Sequence, residues 1–234
     1  MQGLLERALA NPWTTLDRVT DSSLHPGGRE STASLLDRAG VSAGTRVLDV
    51  GCGPGASVEL ARERGARAIG LDREPPARGG VRSDLSRLPF ADGSVDVVLA
   101  ECVMCLVLDQ SLAFREARRV LAPGGRLALS EMVAVGDVPA LPDPVSEAVC
   151  LSNAVAPETL IDRVERAGFA VGEPRNHRED LLAMRDEIAA RVDYESLLGA
   201  LGERGDRLLT AIEDLEAAVE AGEISYVSLV ASAQ

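Results

Sequence analysis

Apolar positions along the chain fall first into a helical spacing and then into short strand-like runs separated by glycine turns. Residues 1–44 carry the helical pattern, broken at "HPGG" from His25 to Gly28. "RESTASLLDRAG" then reads as a helix that Gly40 stops. In "TRVLDVGCGPGASVELARERGARAIGLD" the pattern becomes strand, glycine turn, helix from about Ala56 to Arg64, and a second strand ending at Asp72. Such a βαβ unit implies parallel strands joined by a right-handed crossover. "REPPARGG" holds too much proline and glycine for a full helix, and "VRSD" is a short third strand. "LPFADGSVDVVLAECV" supplies a loop and a fourth strand. In "DQSLAFREARRVLAPGG", Leu112, Ala113, Ala117, Val120 and Leu121 share one helical face, and Pro123-Gly124-Gly125 ends the helix. "RLALSEMVAV" is a fifth strand, "PETLIDRVERAGF" a helix closed at Gly168, and "AVGEPRNH" a sixth strand. Residues 178–221 are helical with a break at "GALGERGD", and "EISYVSLVASA" is a closing strand. Strands alternating with helices predict a doubly wound α/β fold in one domain, residues 45–234, with residues 1–44 as a helical lid.

Composition narrows the chemistry. A chain of 234 residues is long enough for one sizeable core. No apolar run approaches the ~20 residues that would span a bilayer. Glu6 and Arg7 interrupt the apolar N-terminus, which does not read as a secretory signal, so a cytoplasmic location is expected. The net charge of −13 argues against nucleic acid and against an anionic membrane surface as partners. All basic residues are arginine, which excludes a Schiff-base or P-loop lysine. Four cysteines, Cys52, Cys102, Cys105 and Cys150, are not a disulfide framework in such a chain. With only His25 and His177 beside them, structural zinc is not expected. Nothing in the sequence sets an oligomeric state.

"VLDVGCGPGA" carries the most chemistry. Gly51, Gly53 and Gly55 leave a turn without side chains, so the backbone can approach a ligand at the start of the following helix. Gly51-x-Gly53-x-x-Ala56 also fits a dinucleotide fingerprint, so the spacing alone does not choose the nucleotide. Three acids do. Asp49, just before the turn, would repel a pyrophosphate but suits a cationic ammonium group. Asp72 ends the second strand, where ribose hydroxyls would lie, and Asp84 ends the third, within reach of an adenine amine. A ribose, an adenine amine and an ammonium together describe S-adenosyl-L-methionine rather than NAD.

At this point the chain resembles the class I S-adenosylmethionine-dependent methyltransferases. "VLDVGCGPG", "GLD", "SDLSRLPFADGSVDVV" and "RVLAPGGRLALSE" stand in the order and spacing of that family across residues 40–135. The resemblance implies a Rossmann-like sheet of seven strands with the last antiparallel. It also implies cofactor contacts at Asp49, Gly51, Gly53, Asp72, Asp84, Leu85 and Glu101, and Cys52 and Arg73 in the same stretches are expected to line the cofactor as well. The Cys52 side chain itself reads as packing.

A second resemblance bears on the acceptor. "AECVMCLVLDQSLAFREARRVL" and "AVCLSNAVAPETLIDRVERAGF" are similar to segments of the arsenite methyltransferase family. There, cysteines at the positions of Cys102 and Cys150 hold trivalent arsenic, which makes these two the expected catalytic and substrate residues. The chain departs from that family's typical members: Val58 stands near a usual cysteine, and none precedes Cys52. A third sulfur would have to come from Cys105 or from a small-molecule thiol. On strand alternation Cys102 and Cys105 face opposite ways, which makes Cys105 a core residue or one that stands behind the ligand-facing residues. A Cys102–Cys150 disulfide is a lesser alternative. His25, in the expected lid, is a candidate substrate contact against a structural role, and His177 reads as a surface residue. Trp13 either closes the pocket or pins the first helix. Glu101 reads as a cofactor residue before a general base. The reading is an S-adenosylmethionine-dependent methyltransferase for a small molecule with a soft acceptor. Its competitors are carbon, nitrogen or oxygen methylation of a natural product, and a non-catalytic cofactor-binding sensor.

Overall fold

The computed structural model describes residues 25–74, 80–136, 138–141, 146–147, 149–191, 193–199 and 201–234. Most of the expected lid, Trp13 included, lies outside these residues. Helix α1 (Gly28–Arg38) starts from a left-handed Gly27 and buries Leu35 and Leu36. Strand β1 (Arg46–Val50), helix α2 (Ala56–Glu63) and strand β2 (Arg67–Asp72) form the expected unit, with β1 and β2 parallel and Asp49 opposite Gly70. Strand β3 is only Val81–Arg82, shorter than "VRSD", because the chain turns at Asp84, whose carboxylate accepts the Ser86 amide at 2.8 Å.

Strand β4 (Val95–Glu101) leads through one 3-10 turn (Met104–Leu106) to helix α3 (Gln110–Val120), capped by the Asp109 side chain at the Leu112 amide. That helix ends before the Pro-Gly-Gly expected to stop it. Leu121 is already extended and pairs with Val95, so "LAPGG" opens strand β5 (Leu121–Ala134) across a bulge. Burial of Leu121 at 2 % exposure favours the strand over another helical residue. Helix α4 (Pro157–Arg166), strands β6 (Phe169–Val171) and β7 (Arg175–Asn176), helices α5 (Arg178–Arg191), α6 (Tyr194–Gly199) and α7 (Glu203–Ala221), and strand β8 (Ile224–Ala233) complete the chain.

The sheet runs β3-β2-β1-β4-β5-β8-β6, parallel through β5 and antiparallel at β8. Among the described residues the sheet has eight strands where seven were expected. β6 and β7 lie along the same edge of β8, so the expected sixth strand is interrupted at Gly172-Glu173-Pro174. Proline has no N–H to offer the ladder there.

Strand alternation sorts the core. Val98 and Ala100 join Leu48, Val50 and Phe114 on one face of the sheet, while Val97 and Leu99 join Val47, Leu35 and Leu36 on the other. Both faces are covered, as a parallel sheet requires. A third apolar cluster gathers Cys105, Met132, Cys150, Ile224 and Tyr226 beyond the end of β4. Among the described residues, no helix is long and apolar enough to cross a membrane.

Candidate active site

The cofactor half is built from strand ends. Gly51, Gly53 and Gly55 all take positive φ, at 73°, 46° and 91°. The Gly51 and Cys52 amides donate to the Leu71 carbonyl at 2.7 and 3.1 Å, which ties the turn to β2. The Gly53 amide donates to Asp72 Oδ2 at 2.9 Å, and Glu74 donates to Oδ1 at 3.0 Å, so turn and amides orient Asp72. A Cβ at Gly51 would sit 2.2 Å from Val103 Cγ2, so this position has no room for a side chain. Asp84 is held below the usual carboxylate range by hydrogen bonds from Ser86, with a smaller contribution from the Arg73 charge. Leu85 beside it is buried. Cys52 packs its sulfur against Gly70, and burial, Asp49 and Asp72 push its thiol up to about 12. Packing is therefore the role of that side chain.

Asp49 is 3 % exposed and its Oδ2 has no hydrogen-bond partner. Burial, then Glu101 and Asp72, raise its pKa well above the ordinary value. A buried acceptor without a donor, among like charges, fits a ligand that brings an ammonium group. The residues present therefore suit S-adenosylmethionine.

Glu101 is a meeting point. Its side chain is 5 % exposed and accepts hydroxyls from Ser57 at 2.7 Å and Thr32 at 3.0 Å. His25 Nε2 lies 3.7 Å from it and 3.2 Å from the Thr32 hydroxyl, and the ring stacks on Tyr226 at 6.5 Å. His25 Nδ1 donates to the Pro26 carbonyl. His25 thus packs between Glu101, Thr32 and Tyr226. His177 corrects the surface reading: it is half-buried, packs against Tyr226 and bonds Asp180 and Ser228 at 3.0 and 2.7 Å.

The acceptor half departs most from expectation. β4 ends at Glu101, and Cys102 turns left-handed at φ 50°. Strand alternation therefore does not reach Cys105, and Cys102 and Cys105 are not on opposite faces. Cys150 arrives from the loop before α4, also left-handed at φ 56°. These are the two non-glycine residues with positive φ among the described ones. The Cys150 thiol donates to the Cys102 carbonyl at 3.2 Å, and its side chain packs with Cys102 and Cys105 in one cluster. Those contacts, with burial, raise its pKa. At Cys105 the Cys150 thiol opposes the rise, but burial and Glu131 push the group up to about 11. Among the described residues no three His, Cys, Asp or Glu stand ready around a metal ion. An acceptor bound at the Cys150 sulfur must displace its hydrogen bond to the Cys102 carbonyl.

Polar side chains stitch the two loops together. Asn153 Nδ2 donates to the Cys105 carbonyl at 2.7 Å, and buried Gln110 donates to the Met104 carbonyl at 3.0 Å. Glu131 Oε1 accepts the Val103 and Met104 amides at 2.9 and 2.6 Å. None of these was among the expected residues. Glu131 did leave a signal: a lone acid in the apolar run "LALSEMVAV", where an unpaired charge is costly.

Known proteins resemble this chain in sequence and fold. A model of the methyltransferase domain matches residues 48–129. The chain is 34% identical over 208 residues to methyltransferase GfsG of Streptomyces halstedii, covering 79% of this chain and 74% of that protein. It is 31% identical over 182 residues to an arsenite methyltransferase of Halobacterium salinarum, covering 69% of this chain but only 46% of that relative. The crystal structure of the [4+2]-cyclase SpnF superposes with a TM-score of 0.73 at 23% identity, covering 96% of this chain and 92% of that one. Sequence relatives, sheet order and the cradle for S-adenosylmethionine together place this chain in the class I S-adenosylmethionine-dependent methyltransferases.

Proposed function

We propose that this enzyme methylates a soft small-molecule acceptor held by Cys102, Cys150 and Cys105, with trivalent arsenic as the best chemical match. The observation that carries the reading is the packing of Cys102, Cys105 and Cys150 into one cluster beyond the end of β4, Cys102 and Cys150 on left-handed backbone and the Cys150 thiol bonded to the Cys102 carbonyl. Such backbone costs on the order of 1–3 kcal/mol per residue and persists where the surroundings over-determine it, often at functional sites. Soft sulfur ligands favour soft centres. The raised pKa of Cys105 and Cys150 favours neutral thiols, which suits this chemistry. Each S–H can condense with an As–OH to give As–S and water, so no net charge is created in the buried pocket.

The cofactor supplies an electrophilic sulfonium methyl. The chain's part is to bind it at Asp49, Gly51, Gly53, Asp72 and Asp84, and to present the acceptor from the cysteine side in line with that methyl. The Halobacterium relative, an arsenite methyltransferase by name, supports the reading. The test is methyl transfer from labelled cofactor to arsenite and to a panel of simple thiols. Transfer to arsenite is expected, and Cys102→Ser or Cys150→Ser should each lower it at least about 100-fold with product-cofactor affinity unchanged. Transfer surviving both substitutions removes the reading.

A second reading has one observation in its favour. His25 Nδ1 donates to the Pro26 carbonyl, which leaves Nε2, beside Thr32 and Glu101, as the ring nitrogen that can accept a proton from a carbon, nitrogen or oxygen acceptor. On that reading His25→Ala, which removes the Nε2 acceptor, lowers transfer strongly while Cys150→Ser leaves it intact.

A further inference from the structure

Glu131 lies within β5 opposite Val227 of β8 and is 3 % exposed. A carboxyl at such a position is expensive to bury. One oxygen receives two consecutive amides, Val103 at 2.9 Å and Met104 at 2.6 Å. Successive N–H groups aimed at one oxygen form a small backbone concavity suited to a negative group. These amides lie between Cys102 and Cys105. Held by Glu131, the chain leaves the strand direction at Cys102 (φ 50°), passes Val103 at φ −125° and ψ −28°, and enters the 3-10 turn that carries Cys105. The Cys105 amide and thiol lie beside the same carboxyl, while Oε2 accepts no well-formed hydrogen bond. On the β8 side the Tyr226 phenol faces away, donating to Ser130 at 2.6 Å.

We propose that Glu131 is the positioning residue of the acceptor site: it clamps the Val103 and Met104 amides and thereby turns Cys105 to meet Cys102 and Cys150. Without the clamp, Cys102 would relax toward the strand conformation. Cys105 would then move out of register with Cys150, whose own loop is bonded to Cys105 through Asn153. That the gathered thiols receive the acceptor rests on the function proposed above. That Glu131 gathers them does not.

The test needs no acceptor. Iodoacetamide labelling of the full-length enzyme, read by peptide mass spectrometry, gives each cysteine its own rate. In Glu131→Ala, Cys105 should label at least about tenfold faster than in the wild type, because local opening of the turn exposes it. Cys52, on the cofactor side, should stay at its wild-type rate and report that the rest of the fold is intact. Glu131→Gln keeps an oxygen for the two amides and should restore protection of Cys105. Should Glu131→Ala not fold, Glu131→Asp takes its place, since its shorter arm withdraws the oxygen and should give faster labelling than Glu131→Gln. A Cys105 rate unchanged in both Ala and Asp variants overturns the proposal. So does a Gln variant no better protected than they are, or a Cys52 rate rising in step with Cys105. Because arsenite plays no part, failure here is separate from failure of the arsenite reading.

Discussion

The cofactor half and the acceptor half of the site both need left-handed backbone, and they obtain it with different residues. At the cofactor turn Gly51, Gly53 and Gly55 adopt positive φ without a side chain to strain. At the acceptor end Cys102 and Cys150 do the same while keeping a Cβ and a thiol. Left-handed backbone costs an L-residue about 1–2 kcal/mol. The difference teaches what each half requires: open backbone in one, a side chain at a set angle in the other. The cysteine half is correspondingly braced, by Glu131 on two amides and by Asn153 and Gln110 on two carbonyls. The halves touch where Val103 fills the space left by the missing Cβ of Gly51.

That contact is where the comparison breaks most sharply. Gly51→Ala adds left-handed strain and drives a methyl group into Val103, for about 3 kcal/mol together. In a chain of this size the melting temperature should fall by roughly 6–12 °C. Product-cofactor binding, followed by calorimetry, should be lost with it, because the turn and the acceptor loop move together. Cofactor affinity unchanged in the Ala variant would show that the halves are independent.

A smaller effect probes the brace. Burial pushes the Glu131 carboxyl up to about 7 from an ordinary 4.5, against the pull of the amides it accepts. Between these pH values the unfolded chain holds fewer protons than the folded one, so stability falls as pH rises through the window and levels off above it. The loss should be on the order of 2 kcal/mol relative to Glu131→Gln, which cannot titrate. Denaturant titrations of both proteins from pH 4.5 to 8 measure it. Parallel curves would refute the buried-carboxyl account.

The smallest change in stability should come from Cys102→Gly. Relief of left-handed strain and the entropy of a new glycine nearly cancel, leaving stability within about 1 kcal/mol of the wild type. Methyl transfer to arsenite should nevertheless disappear. A large loss of stability would mean that the thiol, and not the turn, holds this segment together.

Legibility differs between the halves for a physical reason. The glycine turn and the acids Asp49, Asp72 and Asp84 sit at or just beyond strand ends, where short-range pattern and parallel pairing fix position. Each was readable from its own neighbours. The end of α3 was misplaced because Leu121 gains more from pairing with Val95 than from helix, a gain that Pro123-Gly124-Gly125 does not reveal. His177 was misread because its partners, Asp180 and Ser228, come from α5 and β8. Cys105 was assigned to the opposite face because period-two reasoning holds only while the strand continues, and a left-handed residue ended it at Cys102.

By itself, then, the sequence determined the α/β order and the placing of the glycine turn and its acids at strand ends, since local spacing and hydrophobic period carry both. Only the tertiary structure decided that Cys105 joins Cys102 and Cys150 and that Glu131 stands behind the turn that carries Cys105. The Cys102–Cys150 contact spans 48 positions and the Glu131–Val103 contact 28. Contacts at such separations depend on how the end of β4, the middle of β5 and the loop before α4 pack, and no local pattern encodes that.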